Sequence, residues 1–381
     1  MLSRRFFLGA GGAAVATAAM PRMAFARTNS ERRFVFIIQR GAADGLSILG
    51  PTGDPQFSGL RGDFDQDLAK GTRLGSFFTL HPALAETAKM YAAKEALFVH
   101  AVASPYRDRS HFDGQNVLET GGSAAYQLKD GWLNRLLGLL PAADSKALAL
   151  SDTVPMALRG SNQVSSYAPS KLAGPSDDLL QRVAGMYQVD AQLHALWSEA
   201  VATRMSAGGI DANGQNGAAI GSVAAKLLSG GSGARIAMIE TNGWDTHSGQ
   251  RARLAAQLRN LDAILASLKS GLGADWADTL VIAATEFGRT ARPNGTGGTD
   301  HGEASVAMLL GGAVAGGKVV ADWPGLSAAA LYEGRDLKPT TALDSLIAGA
   351  LAQHYGLQPG RTMAALFPES RGAAFAQPLI V

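Results

Sequence analysis

The sequence predicts an α/β fold, a doubly wound and mainly parallel sheet with helices on both faces, and three observations predict it. Short, nearly unbroken apolar runs recur at 34–38 (FVFII), 96–101 (ALFVHA), 235–239 (RIAMI) and 279–284 (TLVIAA), as strands buried on both faces require. Phe34, Leu97, Ile236 and Val281 therefore belong to buried strands. Amphipathic helical stretches separate these runs, the longest at 250–272 with Leu254, Leu258, Leu261, Ile264, Leu265 and Leu268 on one face. Acids, histidines and glycines follow directly after several runs, at strand carboxyl ends, where open α/β sheets place their ligands. With 381 residues and 46% hydrophobic content, the chain can bury a sizeable core.

Residues 1–26 stand apart from this fold. Ser3-Arg4-Arg5-Phe6-Phe7-Leu8 is a twin-arginine signature, and an uncharged Gly/Ala-rich run follows it to Met20. Ala24-Phe25-Ala26 offers small residues to a leader peptidase, so the mature chain is expected to begin near Arg27 as a single domain over 27–381. The apolar part of the leader is too short and too mildly apolar for a membrane span. The expected location is therefore the periplasm, reached in the folded state through the twin-arginine translocon.

Removing Arg4, Arg5 and Arg22 with the leader takes the formal charge from +2 to −1. The basic balance thus belongs to the address, and no Lys/Arg run or basic-aromatic stripe remains to suggest nucleic acid. Gly9-Ala10-Gly11-Gly12 has no strand before it and lies in the leader, so it is no dinucleotide loop. The chain has no cysteine, which rules out disulfides, zinc-thiolate sites, iron-sulfur clusters and a thiol nucleophile. Export in the folded state allows a cofactor to be loaded before translocation and motivates a metal.

The first strand, 34–38, ends in Arg40-Gly41-Ala42-Ala43-Asp44-Gly45. Asp44 reads either as a turn residue capping the next segment or as a metal carboxylate. Residues 52–78 are polar and glycine-rich and read as loop. His81-Pro82 opens a helix carrying Leu84, Ala88 and Tyr91, with His81 at its start or on the surface. His100, inside the second strand, reads as a satisfied core histidine. The loop from Ser104 leads into a helix ended by Gly121-Gly122, with Ser110 as its N-cap and Asp113 completing a near capping box. The same position suits a nucleophile or an anion at the positive helix end, flanked by Arg107 and Arg109.

A helix over 131–140 and a third strand over 147–150 follow. From 155 to 233 the composition shifts to helices near 179–187, 191–205 and 223–228 with Gly/Ser/Asn-rich loops, read as a strand-free helical insertion in which His194 is structural. The strand at 235–239 leads into Gly243-Trp244-Asp245-Thr246-His247. Residues two apart in extended backbone project to one side, so Asp245 and His247 can converge as half of a metal site. The strand at 279–284 stops at Glu286, followed by Arg289, a glycine-rich loop and Asp300-His301-Gly302. Late strands at 306–310 and 318–320 and a closing helix at 341–353 complete the chain, with His354 placed to serve the helix dipole.

With these residues assembled, RGAADG, SPYRDRSHFD, GWLNRLL, GWDTHS and TEFGRTARPNGTGGTDHG occur in order, and the chain resembles the twin-arginine-exported family known as domain of unknown function 1501. Through that family it resembles the alkaline phosphatase and sulfatase superfamily. The resemblance implies that Asp44, Ser110, Asp245 with His247, Glu286 and His301 stand where those enzymes carry metal ligands and a nucleophile. Two departures are visible. Glu286-Phe287-Gly288 replaces the usual Asp-His-Gly, and Asp245 and His247 are unusually close in sequence. Asp300-His301 restores an Asp-His pair after the glycine-rich excursion.

The resemblance implies an exported hydrolase of phosphate or sulfate esters acting on a small anionic ester or an envelope glycan or lipid. A divalent ion, zinc or manganese, would be held by Asp245, His247 and His301, with Asp44, Glu286 and Asp300 as further ligands. Ser110 or a metal-bound water would be the nucleophile, and Arg109 and Arg289 would hold the anionic oxygens. The alternative is a non-catalytic binding protein or scaffold on a degenerate fold, since fold does not license function.

Overall fold

In a computed structural model, the structure describes residues 31–381 apart from 142–145, most of 168–215, and 232. The twin-arginine leader and most of the helices expected near 179–187 and 191–205 lie outside the described residues.

The strands are β1 (Arg33–Gln39), β2 (Leu49–Gly50), β3 (Thr72–Leu74), β4 (Phe78–Leu80), β5 (Ala96–Ala103), β6 (Ala147–Leu150), β7 (Val164–Ser166), β8 (Ile236–Thr241), β9 (Thr279–Ala284), β10 (Ser305–Leu310), β11 (Lys318–Val320) and β12 (Thr341–Ala342). The main sheet runs β11-β5-β10-β9-β1-β8-β6-β7, with β12 beside the end of β5. All pairings are parallel except those of β10, which is antiparallel to both neighbours. The expected α/β architecture is therefore the observed one.

Alternation along β1 shows how the layers form. Phe34, Phe36 and Ile38 face a core with Trp132, Leu133, Leu346 and Leu351, while Val35 and Ile37 face Leu254, Leu258, Leu261, Leu265 and Trp276. Every β1 residue is buried, which is why the run lacks polar alternation. Helices Trp132–Leu137, Leu343–Tyr355 and Pro359–Leu366 cover the first face. Helices Gln250–Leu272, Gly217–Leu228 and Ala85–Ala92 cover the second.

Four expectations need correction. Residues 52–78 are not merely loop: helix Phe57–Arg61 and a small antiparallel sheet, β2-β4-β3, form a satellite layer that closes around Leu46, Leu60 and Leu68. The stretch 155–233 is not strand-free, because β7 pairs in parallel with β6 at the sheet edge, too short and too polar to register as a run. Of the two places offered for His81 the surface is wrong and the start of the helix right: it is buried just ahead of helix Ala85–Ala92, its Nδ1 accepting from the Ala83 amide. His354 does not serve the helix dipole as a cation. It is fully buried, its Nε2 meets the Arg33 carbonyl at 3.0 Å, and burial pushes its pKa down to about 3. His100 is the core histidine expected, with both ring nitrogens hydrogen-bonded.

Candidate metal centre

β5, β9, β1 and β8 run in one direction, so the segments leaving their carboxyl ends gather at one edge of the sheet. From there β8 delivers Asp245 and His247, β9 delivers Glu286 and Arg289, and the segment after β5 reaches helix His111–Thr120. Antiparallel β10 enters the sheet at this same edge, so the residues preceding it, Asp300 and His301, arrive there too. The glycine-rich loop makes this possible. Arg289 and His301 pair as an isolated bridge, and a Cβ on Gly302 would stand 2.4 Å from the Arg289 carbonyl carbon. A Cβ on Gly298 would stand 2.2 Å from the His247 carbonyl carbon, so the loop needs glycine there to lie against the His247 backbone.

Three imidazoles meet at this edge, and one of them, His111, was not foreseen. Each has its Nδ1 against an acceptor: His111 on Glu286 Oε1 at 2.9 Å, His247 on Asp300 Oδ1 at 3.0 Å, and His301 on the Arg109 carbonyl at 2.9 Å. An ionised carboxylate or a carbonyl can only accept, so Nδ1 is the protonated nitrogen in each ring. A neutral imidazole then presents a bare lone pair at Nε2.

The three Nε2 atoms converge on Asp245. Its Oδ1 lies 3.1 Å from His247 Nε2, 3.4 Å from His301 Nε2 and 3.5 Å from His111 Nε2. His247 and His301 face each other Nε2 to Nε2 at 3.0 Å. Two lone pairs at that separation repel unless a proton or a cation lies between them. Donors bound at the zinc distance of about 2.0–2.1 Å stand about 3.3–3.4 Å apart along the edges of a tetrahedron. The observed separations bracket that edge, and the donor atoms of His111, Asp245 and His301 form a group that could hold a metal ion. His111 Nε2, buried and without a hydrogen bond, is the orphan such an ion would satisfy.

The surroundings set the charges. Burial opposes ionisation of Asp245, but Arg289, donating to Oδ1 at 2.6 Å, holds its carboxyl below the usual range. Glu286 is fully buried, yet hydrogen bonds from His111, Gln115 and the Gly41 amide keep it ionised. The bond to Glu286 raises the His111 pKa, whereas burial and the nearby His111 lower that of His301. Asp300 is held low by Asn294 and His247. Phe287 stacks on His111 with centroids 5.1 Å apart and closes one side. The Asp245 and His247 side chains are 44% and 45% exposed, so the other side opens to solvent.

The remaining sequence-predicted residues have other employment. Asp44 caps helix Gly45–Ile48 through the Leu46 amide and pairs with the buried Arg61, so the turn-capping reading describes it and no contact joins it to the three imidazoles. Glu286 and Asp300 back the histidines instead of joining the convergent donors. Arg289 is fully buried, donating to the carbonyls of Ala42, Trp244 and Thr299 besides Asp245. Arg109 pairs with Asp336 and Glu333, beside a Glu303 carboxyl that burial pushes up to about 7. Ser110 occupies the N-cap position in extended conformation, but its side chain makes no capping hydrogen bond.

The signal for His111 was in the sequence. It is the histidine of the strand-to-helix segment after β5, the counterpart of His247 after β8 and His301 before β10.

Comparisons with known proteins stand beside this geometry. A search of the curated proteins finds no match. Among solved structures, the C-terminal periplasmic domain of EcEptC from Escherichia coli matches over 92% of each chain at 11% identity and TM-score 0.40. The same domain in complex with Zn matches over 75% of this chain and 74% of that one at 9% identity and TM-score 0.36. Ps i-CgsB matches over 88% of this chain and 74% of that one at 13% identity and TM-score 0.39. Likenesses this distant carry no ligand and no reaction across to this chain. The model of a protein family of unknown function, DUF1501, matches residues 92–367, most of the chain and all three imidazoles, and the chain belongs to that family.

Proposed function

We propose that this chain is an exported metal-dependent hydrolase of phosphate or sulfate esters, working in the periplasm after passage through the twin-arginine translocon. The observation that carries the reading is the convergence of His111, His247 and His301 Nε2 on Asp245 Oδ1, each ring oriented by its own acceptor. Those four residues would hold the ion. Three imidazole nitrogens and one carboxylate oxygen suit zinc better than manganese, which favours oxygen donors. A divalent ion supplies Lewis acidity and activates water; with four protein donors around it, water or an ester oxygen would have to enter as a further ligand from the exposed Asp245–His247 side.

The protein's own residues do the rest. Glu286, Asp300 and the Arg109 carbonyl fix the Nδ1–H tautomers and keep the lone pairs aimed at the ion. Arg289 keeps Asp245 anionic and in place. With Arg289 and Arg109 committed to protein acceptors, the bound ion itself would be the positive charge left to hold the ester's anionic oxygens, on the solvent-open side of the centre. Ser110 adjoins His111 in the chain and stays the candidate side-chain nucleophile.

Metal analysis of the protein exported by its own leader, followed by a screen of aryl and alkyl phosphates and sulfates, tests this reading. One equivalent of zinc in the wild type, lost in His111→Ala, together with turnover of at least one ester class, is the expected result. Metal-free wild-type protein, or metal-loaded protein inert toward every ester, would sink it. The second reading, a binding scaffold, is favoured by the same commitment of Arg109 and Arg289, and loaded but inert protein would establish it. The export route has its own test: Arg4→Lys with Arg5→Lys should leave the precursor in the cytoplasm.

A further inference from the structure

The segments that carry His247 and His301 adjoin different strands, yet one buried side chain holds both. Gln250 opens helix Gln250–Leu272 and is fully buried. Its Oε1 accepts from the Thr246 hydroxyl at 2.9 Å and from the Thr299 hydroxyl at 2.6 Å. Thr246 stands between Asp245 and His247, and Thr299 immediately precedes Asp300-His301. Both threonines are fully buried as well.

The chemistry fixes which way the Gln250 amide turns. On its other side Nε2 donates to Asp44 Oδ2. Burial opposes ionisation of Asp44, but Arg61, together with hydrogen bonds from Ser47 and Gln250, holds its carboxyl below the usual range. An ionised carboxylate only accepts, so the nitrogen of the amide faces Asp44 and the oxygen faces the threonines, its two lone pairs filled by two hydroxyls. Asp44→Asn would keep an acceptor for Nε2. Gln250→Glu would set carboxylate against carboxylate, and Gln250→Leu would leave two buried hydroxyls without their acceptor.

The other links between the two segments are a backbone bond, from the Thr299 amide to the Thr246 carbonyl at 3.2 Å, and bonds to the His247 carbonyl from Thr296, which is exposed, and Asn294, which is half-buried. Resting on the metal centre described above, we propose that Gln250 is a positioning residue of that centre, whose side-chain oxygen sets, through Thr246 and Thr299, how closely the His247 and His301 imidazoles approach. Glu286, Asp300 and the Arg109 carbonyl turn the rings, and Gln250 spaces the segments that bear two of them. The His247 and His301 Nε2 atoms stand 3.0 Å apart, and donors to one ion need to be held to within about 0.5 Å.

Zinc affinity, measured by competition with a chelator, and the visible spectrum of the cobalt-substituted protein test this. Gln250→Leu and Thr299→Val should each weaken zinc binding by about 10–100-fold and alter the cobalt bands. Thr299→Ser, which keeps the hydroxyl, should restore both. Thr87→Val is the control: Thr87, on helix Ala85–Ala92, is also fully buried, and its hydroxyl donates to Asp262 at 2.7 Å. It should lower the denaturant midpoint as Thr299→Val does and leave zinc affinity and cobalt bands unchanged. Wild-type zinc affinity and unaltered bands in Gln250→Leu and Thr299→Val overturn the assignment. So does a Thr87→Val protein that loses zinc as they do, because the effect is then general destabilisation. Should Gln250→Leu not fold, Thr299→Val against Thr299→Ser decides alone. Wild-type protein that takes up no zinc removes the metal centre and this role together, whereas zinc-loaded wild type with indifferent variants removes the role only. Turnover is no part of the readout, so protein that binds zinc through Gln250 and hydrolyses no ester leaves the role standing and removes the hydrolase.

Discussion

His100 and His354 lie in the sheet layers, while His111, His247 and His301 lie at the sheet edge, and the two groups use one side chain in opposite ways. His100 gives Nε2 to the Leu49 carbonyl and takes the Ala101 amide on Nδ1, so its valences are spent on the backbone. His354 spends Nε2 on the Arg33 carbonyl deep under β1. At the edge each Nδ1 is likewise spent, but each Nε2 is turned toward the other rings and Asp245. Burial alone thus does not separate the two groups; the direction of the second nitrogen does.

The sharpest way to break this comparison is to remove one histidine from each group. His301→Ala should abolish metal retention through dialysis, because an open carboxylate-rich centre with one imidazole fewer binds far more weakly. His100→Ala should leave metal content at wild-type level and instead lower stability by about 2–4 kcal/mol, the cost of a buried cavity and two lost hydrogen bonds. Elemental analysis with denaturant unfolding separates the two outcomes, and metal loss in His100→Ala would erase the distinction.

Next in size are the groups behind the rings. Glu286→Gln and Asp300→Asn should each weaken metal binding by about 10–100-fold, since loss of the ionised partner frees the tautomer and the ring orientation. Competition with a chelator of known affinity measures this. Asp44→Asn should leave metal affinity unchanged, because Asp44 serves the cap and Arg61.

Acid provides a smaller effect. Burial lowers the pKa of His100 to about 4 and of His354 to about 3. Between those values and the ordinary value near 6.5, the unfolded chain binds the extra protons. Stability is therefore complete above about pH 6.5 and falls as pH drops, by roughly 2.5 kcal/mol per histidine at pH 4.5. Unfolding curves of chelator-treated protein at pH 7 and pH 4.5 should show the loss, and His354→Gln should flatten it. A slope identical to wild type would mean that His354 is not buried neutral.

The smallest expected effect is on stability in Ser110→Ala. Without a capping hydrogen bond to lose, the change should stay within about 0.5 kcal/mol. Activity of that variant then decides the nucleophile. Persisting turnover assigns attack to water, and lost turnover with retained zinc assigns it to the Ser110 hydroxyl.

Which properties were legible in the sequence follows from the range of the interactions behind them. The runs at 34–38, 96–101, 235–239 and 279–284 are strands because apolar, β-prone residues repeat over a few positions, and that signal is local. The same locality made Asp245-Thr246-His247 and Asp300-His301 recognisable as ligand-rich strand ends. Tertiary structure decided everything that depended on which way a side chain turns across long separations. Glu286 and Arg289 are taken up by the protein itself, Glu286 by the Gly41 amide and Arg289 by the Ala42 carbonyl and Asp245. Asp44 faces away from the three imidazoles because Arg61, 17 residues on in a satellite layer the sequence read as loop, needs a buried counter-charge. His111 and His301 meet because antiparallel β10 carries His301 to the edge where His111 lies, and the two ring centroids come within 4.3 Å. Composition and periodicity report what a segment buries; which atoms finally share one point is set by the packing of segments nearly two hundred residues apart.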